Sequence, residues 1–356
     1  MRPIFAEAHY FNKVLPILTT GLVAIPGGLL FAFLKIPIPW ILGPLTVTLI
    51  HHALRAEGTH WPVGFRDAAL VVLGYSMGRT VNVETTRQIL INLPWMAAAT
   101  FLIGIFSLAI GYFIHRKAGI SLASGIMGSM PGGMTQMIPL AEEMEDVDIT
   151  IVTLIQLMRV LVVLFIVPFV ATYGIEHPHA ALPLTQASNV HFNLVAILPA
   201  ILAATLGAWL AILLRFPLPY FLGPTFAIAA LVLGGIPVPP VPPLLMTTAL
   251  IFFGTHMGIN ISLERLRGAG KVILFAIGCS VALVVFCYLV CLGLTLVTPA
   301  SRLTAFLSTA PGGMAEMGIV ALTLGADVAF ILAYQLFRLF CILFLSPLLL
   351  KRWFKG

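Results

Sequence analysis

Charge is scarce in this chain. Lys, Arg, Asp and Glu together make up 9% of the 356 residues and 60% are hydrophobic, whereas roughly a quarter of a soluble globular domain is charged. A water-soluble fold is thereby excluded, and lipid is the expected solvent. Metal-ligand spacing is missing too. The four cysteines, Cys279, Cys287, Cys291 and Cys341, all fall within apolar segments, and no grouping of His, Cys, Asp and Glu has the short intervals of a metal site. The sequence holds no phosphate-cradling glycine loop, nucleophile triad or basic DNA-reading helix. An enzyme, a cofactor and a nucleic-acid partner are therefore not expected. Near the N-terminus there is no small-residue cleavage site behind a short apolar core, and Glu7, His9 and Lys13 stand there instead. The first apolar segment should stay as a helix.

What the chain has in abundance is uncharged apolar length. Leu93–Ile114, Leu194–Leu214 and Val272–Val297 each reach the ~20 residues that a spanning helix needs. The net charge of +6 sits in short loops, where basic residues set orientation in the membrane.

A shift of 180 residues superposes two halves of the sequence. Pro37, Pro39, Leu42, Gly43 and Pro44 fall on Pro217, Pro219, Leu222, Gly223 and Pro224. Gly74, Met77, Gly78, Glu84 and Arg87 fall on Gly254, Met257, Gly258, Glu264 and Arg267. Pro131, Gly132, Gly133 and Met134 fall on Pro311, Gly312, Gly313 and Met314, and one residue of gap then aligns Asp148, Gln156, Arg159 and Pro168 with Asp327, Gln335, Arg338 and Pro347. The expected organisation is a first membrane repeat at 15–172, a polar linker at 173–194 and a second membrane repeat at 195–350.

With SMPGGMTQM in one half and TAPGGMAEM in the other, the chain resembles the AbrB-type membrane family, named for its internal duplication. The resemblance covers essentially the whole chain. It implies the fold neighbourhood and leaves the activity open, because members of that family are labelled as regulators, as ammonia monooxygenases or as transporters.

Each half offers six apolar segments, in the first about 15–34, 38–54, 62–83, 92–114, 120–142 and 148–172. Pro131-Gly132-Gly133 divides the fifth into two arms, each reaching only ~16 Å at 1.5 Å per residue, about half a bilayer. The arms either continue as a broken spanning helix or turn back as a re-entrant hairpin. Basic residues favour the hairpin. With ten crossings, Arg2, Lys13, Arg55, Arg66, Arg116, Lys117, Arg215, Arg265, Arg267, Lys271, Lys351, Arg352 and Lys355 are cytoplasmic, and only Lys35, Arg79, Arg87 and Arg302 lie outside. The expected fold is all-α, with inverted repeats of 5+5 transmembrane helices plus two re-entrant Pro-Gly-Gly hairpins, and both termini cytoplasmic in a cell inner membrane. The alternative is 6+6 spanning helices in parallel repeats.

Two hairpin tips entering from opposite faces would meet near the midplane, where inverted-repeat transporters hold their solutes. The candidate site is therefore Pro131, Gly132, Gly133 and Met134 with Pro311, Gly312, Gly313 and Met314. Beyond the tips the halves differ, Gln136 in the first standing where the second has Glu316. An acid in an apolar run is a functional candidate by default, here for proton coupling. Arg159 and Arg338 lie eleven residues past Asp148 and Asp327, ~16 Å deeper along a helix, and Gln156 and Gln335 share their helix faces. A planar guanidinium fork matches an oxyanion, although Arg can equally tie helices together through Gln and backbone carbonyls. His256, which aligns with Ser76, is a weaker candidate. Pro26-Gly27-Gly28 reads as a close-packing site. These residues point to a secondary transporter of a small anionic solute coupled to protons or Na⁺, with a membrane-embedded, ligand-sensing regulator acting through a partner as the other reading. The expected partners are the lipid bilayer, the solute and further copies of the chain.

Overall fold

In a lipid solvent every backbone N–H and C=O must find its partner within its own segment, so apolar length becomes helix. The computed structural model describes residues 3–55, 59–131, 141–142, 144, 146–175, 194–261 and 270–354, and no strand occurs among them. The helices are α1 (Pro3–Phe33), α2 (Pro39–Leu54), α3 (Val63–Gly78), α4 (Val83–Ala118), α5 (Leu122–Ser129), α6 (Ile149–Phe169), α7 (Leu194–Leu213), α8 (Pro219–Leu233), α9 (Pro243–Asn260), α10 (Gly270–Val297), α11 (Arg302–Thr309), α12 (Met314–Leu324) and α13 (Val328–Phe354). A π-helical turn, Val170–Gly174, continues α6. Among the described residues four stretches are long and apolar enough to cross a bilayer, Leu15–Phe33, Val83–Ala118, Ile149–Gly174 and Gly270–Val297. This is an all-α membrane protein. Its fourth helix starts at Val83 rather than at 92, because Glu84 in the first turn suits the positive end of the helix dipole.

The chain folds into two compact units, and each takes elements from both sequence halves. One comprises Met1–Asn82 with Leu182–Leu263 and holds α1–α3 and α7–α9; the other comprises Val83–Ala181 with Glu264–Gly356 and holds α4–α6 and α10–α13. The linker residues 176–193, and residues 262–269 with Arg265 and Arg267, lie outside the described residues.

In the first unit a turn of identical construction joins α1 to α2 and α7 to α8. Lys35 and Ile38 in one, and Arg215 and Leu218 in the other, adopt positive φ. Pro39 and Pro219 then start the next helix with φ already helical. Close glycine contacts follow. A Cβ on Gly43 would overlap the backbone of Gly27, and one on Gly223 would overlap that of Gly207, so these helices approach to backbone contact. Pro26-Gly27-Gly28 is thus a packing site, and Gly207 is its counterpart in the other half.

Contacts between halves are exchanged pairwise. Gly254 packs on Ile41 and Gly258 on Leu45, while Gly74 packs on Phe221 and Gly78 on Thr225, the same positions with the halves interchanged. The equivalent helices α3 and α9 run antiparallel. Phe65 meets Phe252 with ring centroids 4.9 Å apart, whereas Tyr75 Oη at the far end of α3 donates to Pro239 O at 2.8 Å, ahead of α9.

The second unit repeats this logic with α4 and α10. Phe106 stacks on Phe286, its own counterpart at the 180-residue shift, at 4.0 Å and 8°. Further along, Phe113 meets Phe275 at 6.1 Å. One residue number rises as the other falls, so these equivalent helices are antiparallel as well.

Backbone contact at Gly223 makes a direct test. Gly223→Ala should cost about 1–3 kcal/mol through overpacking, read as a lower unfolding midpoint in detergent, whereas Gly278→Ala, whose Cβ would meet nothing within 4 Å, should leave the midpoint unchanged or raise it.

Candidate solute site at the helix breaks

In the second half, Ser301 Oγ accepts from Thr304 N at 3.1 Å and so caps α11. α11 ends at Thr309, Pro311-Gly312 follow, and α12 starts from Gly313. Gly325, with φ 72°, ends α12, and Asp327 N then donates to Thr304 Oγ1 at 3.1 Å. The chain has come back to the start of α11, so α11 and α12 form a hairpin with its tip at Ala310–Gly313. The first half closes at the same positions. Ser121 Oγ caps α5 through Ser124 N at 3.2 Å and donates to Asp146 O at 2.7 Å, and Asp148 N donates to Ser124 Oγ at 2.8 Å. Pro131 is half-buried just past α5. Gly132, Gly133, Met134 and Gln136 lie outside the described residues.

The two aspartates start the helices that carry the arginines. Asp148 Oδ1 accepts from Thr150 N at 2.8 Å and Ile151 N at 3.2 Å, and Asp327 Oδ1 accepts from Phe330 N at 3.0 Å. These are N-caps. Three turns on, α6 and α13 present Gln and Arg to the hairpins.

Ending a helix inside a dry interior leaves its last carbonyls without intrahelical donors. The Gln and Arg side chains supply them. Gln156 Nε2 donates to Met127 O at 3.2 Å, and Arg159 Nη1 to Ser129 O at 3.3 Å and Met130 O at 2.6 Å. Gln335 Nε2 donates to Leu307 O, Ser308 O and Ala310 O at 3.1–3.3 Å. Arg338 Nη1 reaches Thr309 O and Ala310 O at 3.3 and 2.8 Å, and Nη2 reaches Gly312 O at 2.9 Å and Gln335 Oε1. All four side chains are buried, with exposures of 0–5%. A cation at a helix C-terminus also faces the negative end of the dipole.

These contacts leave the charges themselves unneutralised. Among the described residues the ion pair is Arg66 with Asp67, and neither buried arginine has a carboxylate partner. In the first half, Arg159 Nε and Gln156 Oε1 are buried without hydrogen-bond partners among the described residues, whereas Gln335 Oε1 is taken by Arg338.

Glu316 is half-buried in the first turn of α12. Its carboxylate folds back over Gly313, a favourable place for negative charge at a helix N-terminus, and makes no ion pair with Arg338. Pro311 and Met314 are buried beside it, and Met317 covers Gly312. His256 belongs to the first unit, where it pairs with Asn260 at 2.9 Å; the tips belong to the second. An apolar groove between α4 and α10, lined by Phe106, Phe113, Phe275 and Gly278, offers no group for ionic chemistry. The hairpin-closing pairs Ser121/Ser124 and Ser301/Thr304 were not singled out from the sequence, although each stands at an N-cap position ahead of an apolar run and recurs at the 180-residue shift. Tyr334, fully buried one turn before Arg338, carries no comparable local signal.

The class these features define is a duplicated, multi-pass helical membrane protein whose paired helix breaks are capped by buried arginines. The chain belongs to the AbrB family: the family model described as "Transition state regulatory protein AbrB" matches residues 40–354. Two relatives align over nearly their full length. "Uncharacterized protein YhjN" of Bacillus subtilis (strain 168) is 27% identical over 351 residues, 91% of this chain and 90% of that protein. "Putative regulator AbrB" of Escherichia coli (strain K12) is 28% identical over 350 residues, 94% of this chain and 96% of that protein.

Removing the cap should loosen the tip. Arg338→Met leaves the carbonyls of Thr309, Ala310 and Gly312 dry, at a cost of about 2–4 kcal/mol in detergent unfolding, with faster amide exchange in the Ala310–Glu316 segment. Arg338→Lys, a point charge without the planar fork, should recover only part of that loss.

Proposed function

We propose that this protein is a secondary transporter of a small anionic solute, built from inverted repeats of five crossings and one re-entrant hairpin each. The observation that carries the reading is the pair of buried arginines, one at each helix break, with no carboxylate partner among the described residues. An isolated charge in an apolar interior is costly, and a mobile anion beside these arginines would relieve that cost while it is bound. Arg159 Nε, without an acceptor among the described residues, is a donor for it. The hydrogen bonds that join the two ends of each broken segment support the re-entrant topology. Antiparallel packing of α3 on α9, and of α4 on α10, supports inversion, since a two-fold axis relating antiparallel helices lies perpendicular to them. Glu316, half-buried beside the tip and held by no cation, is the proposed protonatable coupling residue. The basic-residue bias puts both termini in the cytoplasm of a cell whose inner membrane holds the protein. The name of the Escherichia coli relative favours a second reading, a membrane-embedded sensor that binds the same anion and signals through a partner; it requires binding without flux.

Topology is testable by labelling. In a chain cleared of its native cysteines, single cysteines at Gly119 and Asp146 should both react from the cytoplasmic side, and one at Ala300 only from the opposite side. Reaction of Gly119 and Ala300 positions from the same side would establish parallel repeats instead.

Function is testable by flux. Purified protein in liposomes should take up labelled small carboxylates faster with an imposed pH gradient, Arg159→Gln should lower the rate at least about tenfold, the effect of losing a charge-assisted hydrogen bond or more, and Glu316→Gln should abolish the pH response. Uptake no faster than in protein-free liposomes, with binding retained, would favour the sensor.

A further inference from the structure

Within the second unit, the groove between α4 and α10 encloses about 360 Å³, inside the range of about 300–1,000 Å³ typical of small-molecule pockets. Ala109, Ile110 and Phe113 line it from α4, and Leu274, Phe275 and Gly278 from α10. These spacings of three and four residues put each set on one face of its helix. The mouth is open, with Phe113 44% and Leu274 70% exposed. From Leu274 to Ala282 the α10 side runs about 12 Å at 1.5 Å per residue, so the mean section is about 30 Å², which suits one extended hydrocarbon chain rather than a helix about 10 Å across.

Both faces continue into basic residues. Arg116 and Lys117 stand one turn after Phe113, and Lys271 stands one turn before Leu274 and Phe275. Because α4 and α10 are antiparallel and Phe113 meets Phe275, these three residues lie at one end of the helix pair. All three are exposed. Among the described residues none of them has a carboxylate partner, and Asp148, the start of α6, is committed to its own helix cap. Arg116 lies over the ring of Tyr112 at 5.9 Å, and tyrosines favour the headgroup level of a bilayer.

The opposite end of the same helix pair serves as an internal comparison. The 180-residue shift carries Arg116, Lys117 and Lys271 to Leu296, Val297 and Ile91. Within the groove it carries Ala109 and Ala282 to Leu289 and Leu102, and Phe113 to Gly293, so the two ends present different surfaces. Orientation in the membrane requires basic residues in loops on one side. It does not require them in line with an apolar groove.

We propose that this groove binds an anionic phospholipid. One acyl chain lies along α4 and α10, and the headgroup phosphate lies among Arg116, Lys117 and Lys271, where the guanidinium fork matches phosphate oxygens. Basic sites between transmembrane helices take anionic headgroups for this reason. A zwitterionic lipid would bring its own ammonium to three cations. The site is independent of any transported solute.

Native mass spectrometry of the full-length protein in detergent, titrated with dioleoylphosphatidylglycerol or dioleoylphosphatidylcholine, tests the proposal, because the chains are identical and only the headgroups differ. The first phosphatidylglycerol should bind at least about tenfold more tightly than the first phosphatidylcholine, the scale on which a few basic residues act on anionic lipid. Joint substitution Arg116→Gln, Lys117→Gln and Lys271→Gln should bring the ratio close to one. Arg55→Gln with Arg302→Gln, which removes two charges away from the groove, should preserve it. Gly278→Leu should fill the groove and weaken phosphatidylglycerol about tenfold by excluding the chain. Each ratio compares two lipids on one variant, so a folding defect, which lowers both affinities, does not imitate the loss of preference. Equal affinities in the parent protein, a preference that survives the triple substitution, or one lost equally in the control pair would overturn the site. Phosphatidylglycerol affinity unchanged in Gly278→Leu would overturn it too, and loss of a dimer in that variant would make the groove an interface between copies instead.

Discussion

Broken helices in a dry interior must do something with their terminal carbonyls, and this constraint governs the second unit. The solution is the same in both halves. A side-chain amide and a guanidinium, three residues apart on the following helix, reach into the hairpin and supply donors that lipid cannot. Both partners are fixed by that arrangement: α6 and α13 must start close to the hairpin roots for their Gln and Arg to arrive at the tips. Asp148 and Asp327 start them there, and the backbone amides of the same two aspartates close the roots on Ser124 and Thr304.

The arrangement has an electrostatic surplus. Carbonyl dipoles solvate a guanidinium but do not cancel its charge, and among the described residues no carboxylate does so either. On the proposed reading, charges held in this way are prepared for an anion before it arrives, which is how preorganised dipoles and charges act in general. The second half holds the more completely satisfied arginine, while among the described residues Arg159 Nε of the first half has no acceptor. The hairpin segments thus share a construction while surrounding their arginines differently.

Much of this was legible in the sequence. Gln156, Arg159, Gln335 and Arg338 stood out because charged groups in apolar segments are rare and these recurred in register, and the Pro-Gly-Gly breaks stood out because they interrupt otherwise helical runs. Which atoms the arginines would bond was not legible: Glu316 offered a carboxylate in the same half, but its place in the first turn of α12 turns it back over Gly313, and the backbone at the tip takes Arg338. The interleaving of the halves was also hidden, since contacts such as Gly74 on Phe221 join positions that no local pattern connects.

Phe106 stacked on Phe286 has the form of an isologous contact, the kind by which two identical subunits recognise each other across a two-fold axis. In a true dimer such a residue meets its own copy, and one codon decides both sides at once. Joined in a single chain, the two positions answer to separate codons. Divergence then becomes open to either half alone, and with it a binding surface that is no longer the same when seen from its two ends.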